Sequence, residues 1–253
     1  MKLNFLGAGR LRMRKSVYIP GADRSETIDL PVHSALIRHR QGNVLFDTGC
    51  HPSVVERAEE RWGSLAKVIV PVMGVHETLL PGLACVGLGP DDVDMVVNSH
   101  FHPDHCGCNQ FFGKATILAH AKEVEAAKAP GAEAAGYLRA EWDCGQSVET
   151  VSGEKDLFGD GSAVLVPLPG HTPGSLGALV GLDRDGQFLL ASDAVSLRQH
   201  LDTGVAPRNT WNVAAQQQTY EEVRRIEKSG ATVICGHDAE QWQNLRKGGD
   251  GYE

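Results

Sequence analysis

The sequence predicts an α/β fold in which sheets pack against each other and helices lie outside. Three observations point there. Short apolar runs of strand length form two clusters separated by helical segments. The punctuation between runs is Gly-Asp-Gly or Asp-Gly, the chemistry of tight turns. No Pro/Ser-rich linker or low-complexity tract divides the chain, so one domain over residues 1–253 is the expectation.

Taken in chain order, strands are expected at 2–7, at 32–39 ("VHSALIRH", which alternates apolar and polar) and at 43–47 ("NVLFD"). Ser53 followed by Glu56 is a capping-box pattern opening the helix "SVVERAEERW". Strands follow at 93–98 and 115–119, then the helix "AKEVEAAKA", which ends at Pro130-Gly131. Three more strands, 163–168, 175–181 and 187–192, precede the helix "AAQQQTYEEVRRIEKSG", which stops at Gly230, and the strand 231–235. "GNVLFDTG" and "GQFLLASDA" echo each other: each runs from a glycine turn through an apolar strand to an aspartate at its end.

Composition narrows the function classes. At 253 residues, with 42% apolar side chains, the chain can build a substantial core. A net charge of −8 argues against binding nucleic acid by neutralising phosphates, although "RLRMRK" at 10–15 is locally basic. The opening apolar stretch is too short for a signal peptide and no window approaches a membrane span, so a cytoplasmic protein is expected. Six cysteines suit a reducing compartment as thiols, and neither "CGC" at 106–108 nor Cys50, Cys85, Cys144 and Cys235 has zinc-ribbon spacing.

The densest chemistry lies at 98–112, "NSHFHPDHCGCNQFF", where three of the chain's 11 histidines and one aspartate share six positions. In extended chain, residues two apart project to one side, so His100 and His102 can converge on one ion while Asp104 and His105 face a second point. Pro103 argues against a helix through this cluster and places it on a loop beyond the strand. Imidazole and carboxylate together suit zinc or a similar first-row ion, whereas calcium or magnesium would take mostly oxygen. His171 in "LPGHTPGS", Asp193 in "FLLASDA" and His237 in "ICGHD" each follow an apolar strand, and strand ends share one edge of a layered domain. His33, His39, His51, His76, His120 and His200 read as structural. Cys106 and Cys108 read as packing residues, and Asp47 as a supporting residue rather than a ligand.

"HFHPDH" resembles the His-x-His-x-Asp-His signature of the metallo-β-lactamase superfamily, and "GHTPGS", "SDA" and "GHD" follow in that superfamily's order. The resemblance implies an αββα sandwich of two mixed sheets with two divalent metal ions, zinc above all, at one edge. His100, His102 and His171 would hold the first, Asp104, His105 and His237 the second, and Asp193 would bridge them. Within the superfamily, "ETIDLPVHSALIRHRQGNVLFDTGC", "GLGPDDVDMVVNSHFHPDHCGCNQFF" and "GHDAEQW" resemble the N-acyl-homoserine lactonases, quorum-quenching enzymes, and relatives such as pyridoxolactonase. Such a family implies a small-molecule substrate, and relatives are often dimers, which leaves a homodimer open.

The implied reaction is lactone opening by a metal-bridging hydroxide, with Asp104 as both ligand and proton carrier to the leaving alkoxide. One departure bears on the substrate. Several of these lactonases carry a tyrosine three residues beyond the bridging aspartate, where this chain has Ser196, so either another group, such as a tyrosine from elsewhere in the chain, takes over, or the substrate is another lactone, ester or aromatic compound. The segment 13–30, with Trp62, Met73, Phe111 and Phe112, offers apolar residues for an acyl cleft, although core packing explains the phenylalanines equally well. Redox members of the superfamily fit less well, since a mononuclear dioxygenase needs fewer ligands and no flavin-binding domain follows.

Overall fold

The computed structural model describes residues 1–253. Its strands are β1 (Lys2–Arg14), β2 (Thr27–His39), β3 (Gly42–Phe46), β4 (Val70–Pro71), β5 (Met95–Val97), β6 (Thr116–His120), β7 (Val148–Val151), β8 (Lys155–Asp156), β9 (Ala163–Pro167), β10 (Leu176–Leu182), β11 (Gly186–Ser192) and β12 (Ala231–Cys235). The helices are α1 (Lys15–Tyr18), α2 (Val54–Trp62), α3 (Leu79–Cys85), α4 (Pro103–Cys106), α5 (Ala121–Lys128), α6 (Arg139–Trp142), α7 (Arg198–Thr203), α8 (Val213–Lys228) and α9 (Ala239–Asn244).

Pairing gives a seven-stranded sheet, β4-β1-β2-β3-β5-β6-β7, and a five-stranded sheet, β12-β11-β10-β9-β8. Both are mixed: β1 to β3 are antiparallel and β3, β5, β6 and β7 parallel, while β12 runs parallel to β11 in an otherwise antiparallel second sheet. Strand alternation then builds three layers of core. Phe5, Ala35, Ile37, Val44 and Phe46 of the first sheet share one interior with Ala178, Val180, Phe188, Leu190 and Ile234 of the second. The residues between them point the other way: Leu36 and Leu45 pack with Trp62, Leu79 and Leu83, and Leu189, Ala191 and Val233 pack with Tyr220, Val223 and Ile226 of α8. Each Val, Leu, Ile and Phe among them contributes about 1.5–3 kcal/mol when fully buried. The result is the expected αββα sandwich.

Several elements differ from the sequence expectation for physical reasons. β1 continues past residue 7, through a register shift between Gly7 and Gly9, to Arg14, because β2 pairs with it along that length. The basic residues that mask its strand pattern are ion-paired: Arg12 to Asp29 at 2.6 Å, Arg10 to Glu77 at 3.2 Å and Lys15 to Glu26 at 2.6 Å. Arg10, Arg12 and Lys15 are thus each matched by an acid from a neighbouring segment. β4, β7 and β8 are edge strands of only 2, 4 and 2 residues, too short to show a strand period. Ser53 does not cap α2; it is itself in helical conformation, and its hydroxyl lies 2.7 Å from His51 Nδ1. The caps that do form are His120 on α5, Asn212 on α8 and Asp238 on α9.

Candidate metal centre

The C-terminal ends of β3, β5, β11 and β12 meet at one edge of the sandwich, stitched by hydrogen bonds between their extensions. Asp47 N donates to the Val97 carbonyl at 2.8 Å, and Leu176 N, from the second sheet, donates to the Ser99 carbonyl at 2.9 Å. Two non-glycine residues here have positive φ, Asp47 at 60° and Ser192 at 47°. Such backbone is held only where its surroundings over-determine it. Asp47 supplies that constraint: its buried carboxylate accepts from Ser99 N (2.7 Å), Ser99 Oγ (2.8 Å), Ser192 Oγ (3.1 Å) and His105 Nδ1 (2.9 Å). The two aspartate-ended strands that echo each other in sequence therefore meet here.

The loop expected at 103–106 is one turn of helix, α4. Pro103 permits it because it occupies the first helical position, where its missing N–H has no intrahelical partner to lose. His102 precedes the turn in extended backbone, as expected for its pairing with His100. Sequence reasoning passed over Glu123, in α5, which is 0% exposed. It accepts from Phe101 N at 3.0 Å, Thr172 Oγ1 at 2.8 Å and Gly174 N at 3.1 Å, and so ties the His100–His102 segment to the His171 turn. Nothing distinguishes it locally from Glu125 on the same helix.

The seven residues singled out by sequence come together as three overlapping groups: His100, His102 and His171; His100, His105 and Asp193; and Asp104, His105 and His237. In the first, His102 Nδ1 lies 3.1 Å from His100 Nε2 and 3.0 Å from His171 Nε2. In the third, Asp104 Oδ2 lies 3.5 Å from His105 Nε2 and 3.6 Å from His237 Nε2. Asp193 stands between them. Its Oδ2 is 3.4 Å from His171 Nε2, while its Oδ1 is 2.9 Å from His237 Nε2 and 3.8 Å from His105 Nε2. Gly236 has to be glycine for this carboxylate to fit, since a Cβ there would collide with Asp193 Oδ1.

The donor chemistry fits a pair of divalent cations. Four rings are held by their outward nitrogens: His100 Nδ1 by Ser99 Oγ at 2.9 Å, His102 Nε2 by the Ala135 carbonyl at 2.9 Å, His105 Nδ1 by Asp47, and His237 Nδ1 by the Pro31 carbonyl at 2.9 Å. Such outward partners fix ring orientation and leave the inward nitrogen for a metal. The inward atoms His105 Nε2, His237 Nε2 and Asp193 Oδ1 are buried without a hydrogen-bond partner. Leaving buried polar atoms unpaired is costly, and so many in one place mark a missing partner of positive charge.

Protonation divides the imidazoles of the cluster into two kinds. Burial, with the imidazoles around it, pushes His100 well below its usual range, and burial takes His171 down to about 3. Both stay neutral, the form a metal takes. Burial opposes the charge on Asp104 and Asp193, but His105 and His237 hold Asp104 at about 2, and His237 and His171 keep Asp193 well below the usual carboxylate range. Burial likewise opposes charge on His105 and His237, which neighbouring carboxylates nevertheless lift.

Above the first group opens a cleft of about 650 Å³ with His102 and His171 at its base and Met13, Val17, Leu65, Ile69 and Trp211 among its walls. Segment 13–30 does contribute, through Met13 and Val17. Trp62, Met73 and Phe112 do not; they lie in the core under the first sheet, with Phe111 against them. Cys106 and Cys108 are fully buried, and their thiols donate to the carbonyls of His102 and Cys50 at 3.2 Å. Among the remaining histidines, His33 binds the Cys235 carbonyl at 2.9 Å, His51 meets Ser53 and Gln110, and His200 binds the Tyr18 carbonyl at 2.8 Å.

Comparison with known proteins agrees with this geometry. The family model of the metallo-beta-lactamase superfamily matches residues 27–237. The chain is 32% identical to the N-acyl homoserine lactonase AiiB of Agrobacterium fabrum, over 99% of this chain and 98% of the relative. It is 30% identical to the N-acyl homoserine lactonase AttM of Azorhizobium caulinodans, over 98% and 97%. A solved N-acyl homoserine lactone hydrolase, with the product N-hexanoyl-L-homoserine at its catalytic metal centre, superposes with a TM-score of 0.87 at 25% identity, covering 97% of this chain and 96% of the other.

Proposed function

From the premise that this chain belongs to the metallo-beta-lactamase superfamily, among its N-acyl homoserine lactonases, we propose that it is a metal-dependent hydrolase that opens the lactone ring of N-acyl homoserine lactones. The observation that carries the reading is the divided carboxylate of Asp193, one oxygen toward His171 and the other toward His237 and His105. His100, His102 and His171 would hold one divalent ion, Asp104, His105 and His237 the other, and Asp193 both; zinc is the ion that this nitrogen-rich set suits best. When bound, two such ions lower the pKa of water to about 7 and polarise an ester carbonyl.

The chain's own residues supply the rest. Asp104, side chain 10% exposed, is the carboxylate of the cluster that reaches solvent most, and it carries a proton to the alkoxide oxygen leaving the opened ring. The apolar cleft walls hold an acyl chain and exclude water from it. Residues 1–253 act as one hydrolase domain in the cytoplasm on a small-molecule substrate, alone or as a homodimer; no helix is long and apolar enough to cross a membrane. A pH-stat assay of metal-loaded protein against acyl-homoserine lactones, other lactones, aryl esters and a β-lactam tests the reading. Proton release with the acyl-homoserine lactones is expected, and release only with the other classes would overturn it.

A further inference from the structure

Ser196, three residues past Asp193, gives the site no donor. It is 1% exposed, and its hydroxyl turns back to the Asp193 carbonyl at 3.5 Å. A different polar side chain packs against a residue of the cluster, His237. Tyr18 ends α1, between the first two strands, and is 3% exposed. Its ring stacks on His200 (6.3 Å, 12°) and stands edge-on to His237 (6.3 Å, 87°). The charges of Asp193 and Asp104 both act on its phenol, and Asn209, a wall residue of the cleft, is a further polar neighbour.

The position is fixed from two further segments. His200 Nε2 donates to the Tyr18 carbonyl at 2.8 Å, and Arg208 N donates to the Val17 carbonyl at 2.8 Å. Of the other three tyrosines, Tyr220 packs under α8 and Tyr252 stands against Phe5, while Tyr137 lines the cleft beside His102 with a buried hydroxyl that has no partner.

We propose that Tyr18 is a catalytic residue, whose phenol donates a hydrogen bond to the substrate carbonyl oxygen beside His237 and Asp193 as negative charge develops on it. A donor in a dry, preorganised setting stabilises such an oxygen more than water can, because it need not reorient during reaction. The phenol keeps its proton throughout; it binds charge and transfers nothing. This role rests on the lactonase reading above, since it needs a carbonyl that becomes tetrahedral.

Full-length, metal-loaded protein carrying 13Cζ-tyrosine tests it, with N-hexanoyl-L-homoserine as the probe. One of four tyrosine resonances, the one missing from Tyr18→Phe, should shift when this product binds. Tyr18→Phe keeps the ring stacking and the backbone carbonyl, so melting temperature and metal content should match wild type, while kcat on the lactone falls by about 10²-fold. A resonance that stays put while product binds, or a variant with wild-type kcat and full metal, would overturn the role of Tyr18 alone. Wild-type protein that neither binds the product nor opens a lactone would overturn the functional reading, and the role of Tyr18 with it.

Discussion

Glu141 and Asp193 are both buried carboxylates, 0% and 5% exposed, but only one of them is satisfied by the protein. Glu141 receives Arg61 Nε at 2.7 Å, Arg61 Nη2 at 2.8 Å and Trp62 Nε1 at 2.7 Å. Asp193 faces three imidazoles, and its Oδ1 forms no hydrogen bond. Burial lifts the Glu141 carboxyl despite Arg61, whereas the imidazoles of His237 and His171 hold Asp193 well down against the same burial. A buried carboxylate whose two oxygens are both hydrogen-bonded by the protein's own side chains is structural. One kept ionised among unpaired nitrogens is a site awaiting a cation. The same reasoning separates Asp47, a fully engaged support, from Asp104.

That contrast can be broken by substitution. Asp193→Asn should have the largest effect, lowering metal content below two ions per chain by elemental analysis and abolishing measurable lactone opening. Asp104→Asn should keep the fold, judged by an unchanged circular dichroism spectrum, while kcat falls by about 10²- to 10⁴-fold for loss of the proton carrier. Glu141→Gln should do the reverse. Urea unfolding should show a loss of about 3 kcal/mol as Arg61 is left unpaired, with metal content per folded chain unchanged. Smallest of all, Arg12→Ala removes an exposed pair with Asp29 and should leave the urea midpoint nearly unchanged, the more so in high salt.

How far the sequence discloses this molecule follows from where each signal resides. β2, β3 and β11 are legible as apolar runs between turns, while the face that each residue takes in β3 and β11 is set only by packing, because their apolar residues follow one another with no polar residue between. The clustered residues are legible because His100 to His105 are crowded and because His171, Asp193 and His237 each sit just beyond an apolar run. α4 is hidden because Pro103 breaks a helix interior yet suits a helix start. Ser53 misleads because His51 claims its hydroxyl. Glu123 and Tyr18 are hidden for a deeper reason: neither has a local pattern, and each gains its role only when distant segments close around it.

The central claim is that one buried cluster holds two cations sharing Asp193. Anomalous X-ray scattering from crystals of the zinc-loaded protein, measured at the zinc edge, tests it most directly. The account predicts two peaks, one among His100, His102 and His171 and one among Asp104, His105 and His237, with the Asp193 carboxylate between them. A single peak, or none at that edge of the sandwich, would contradict it.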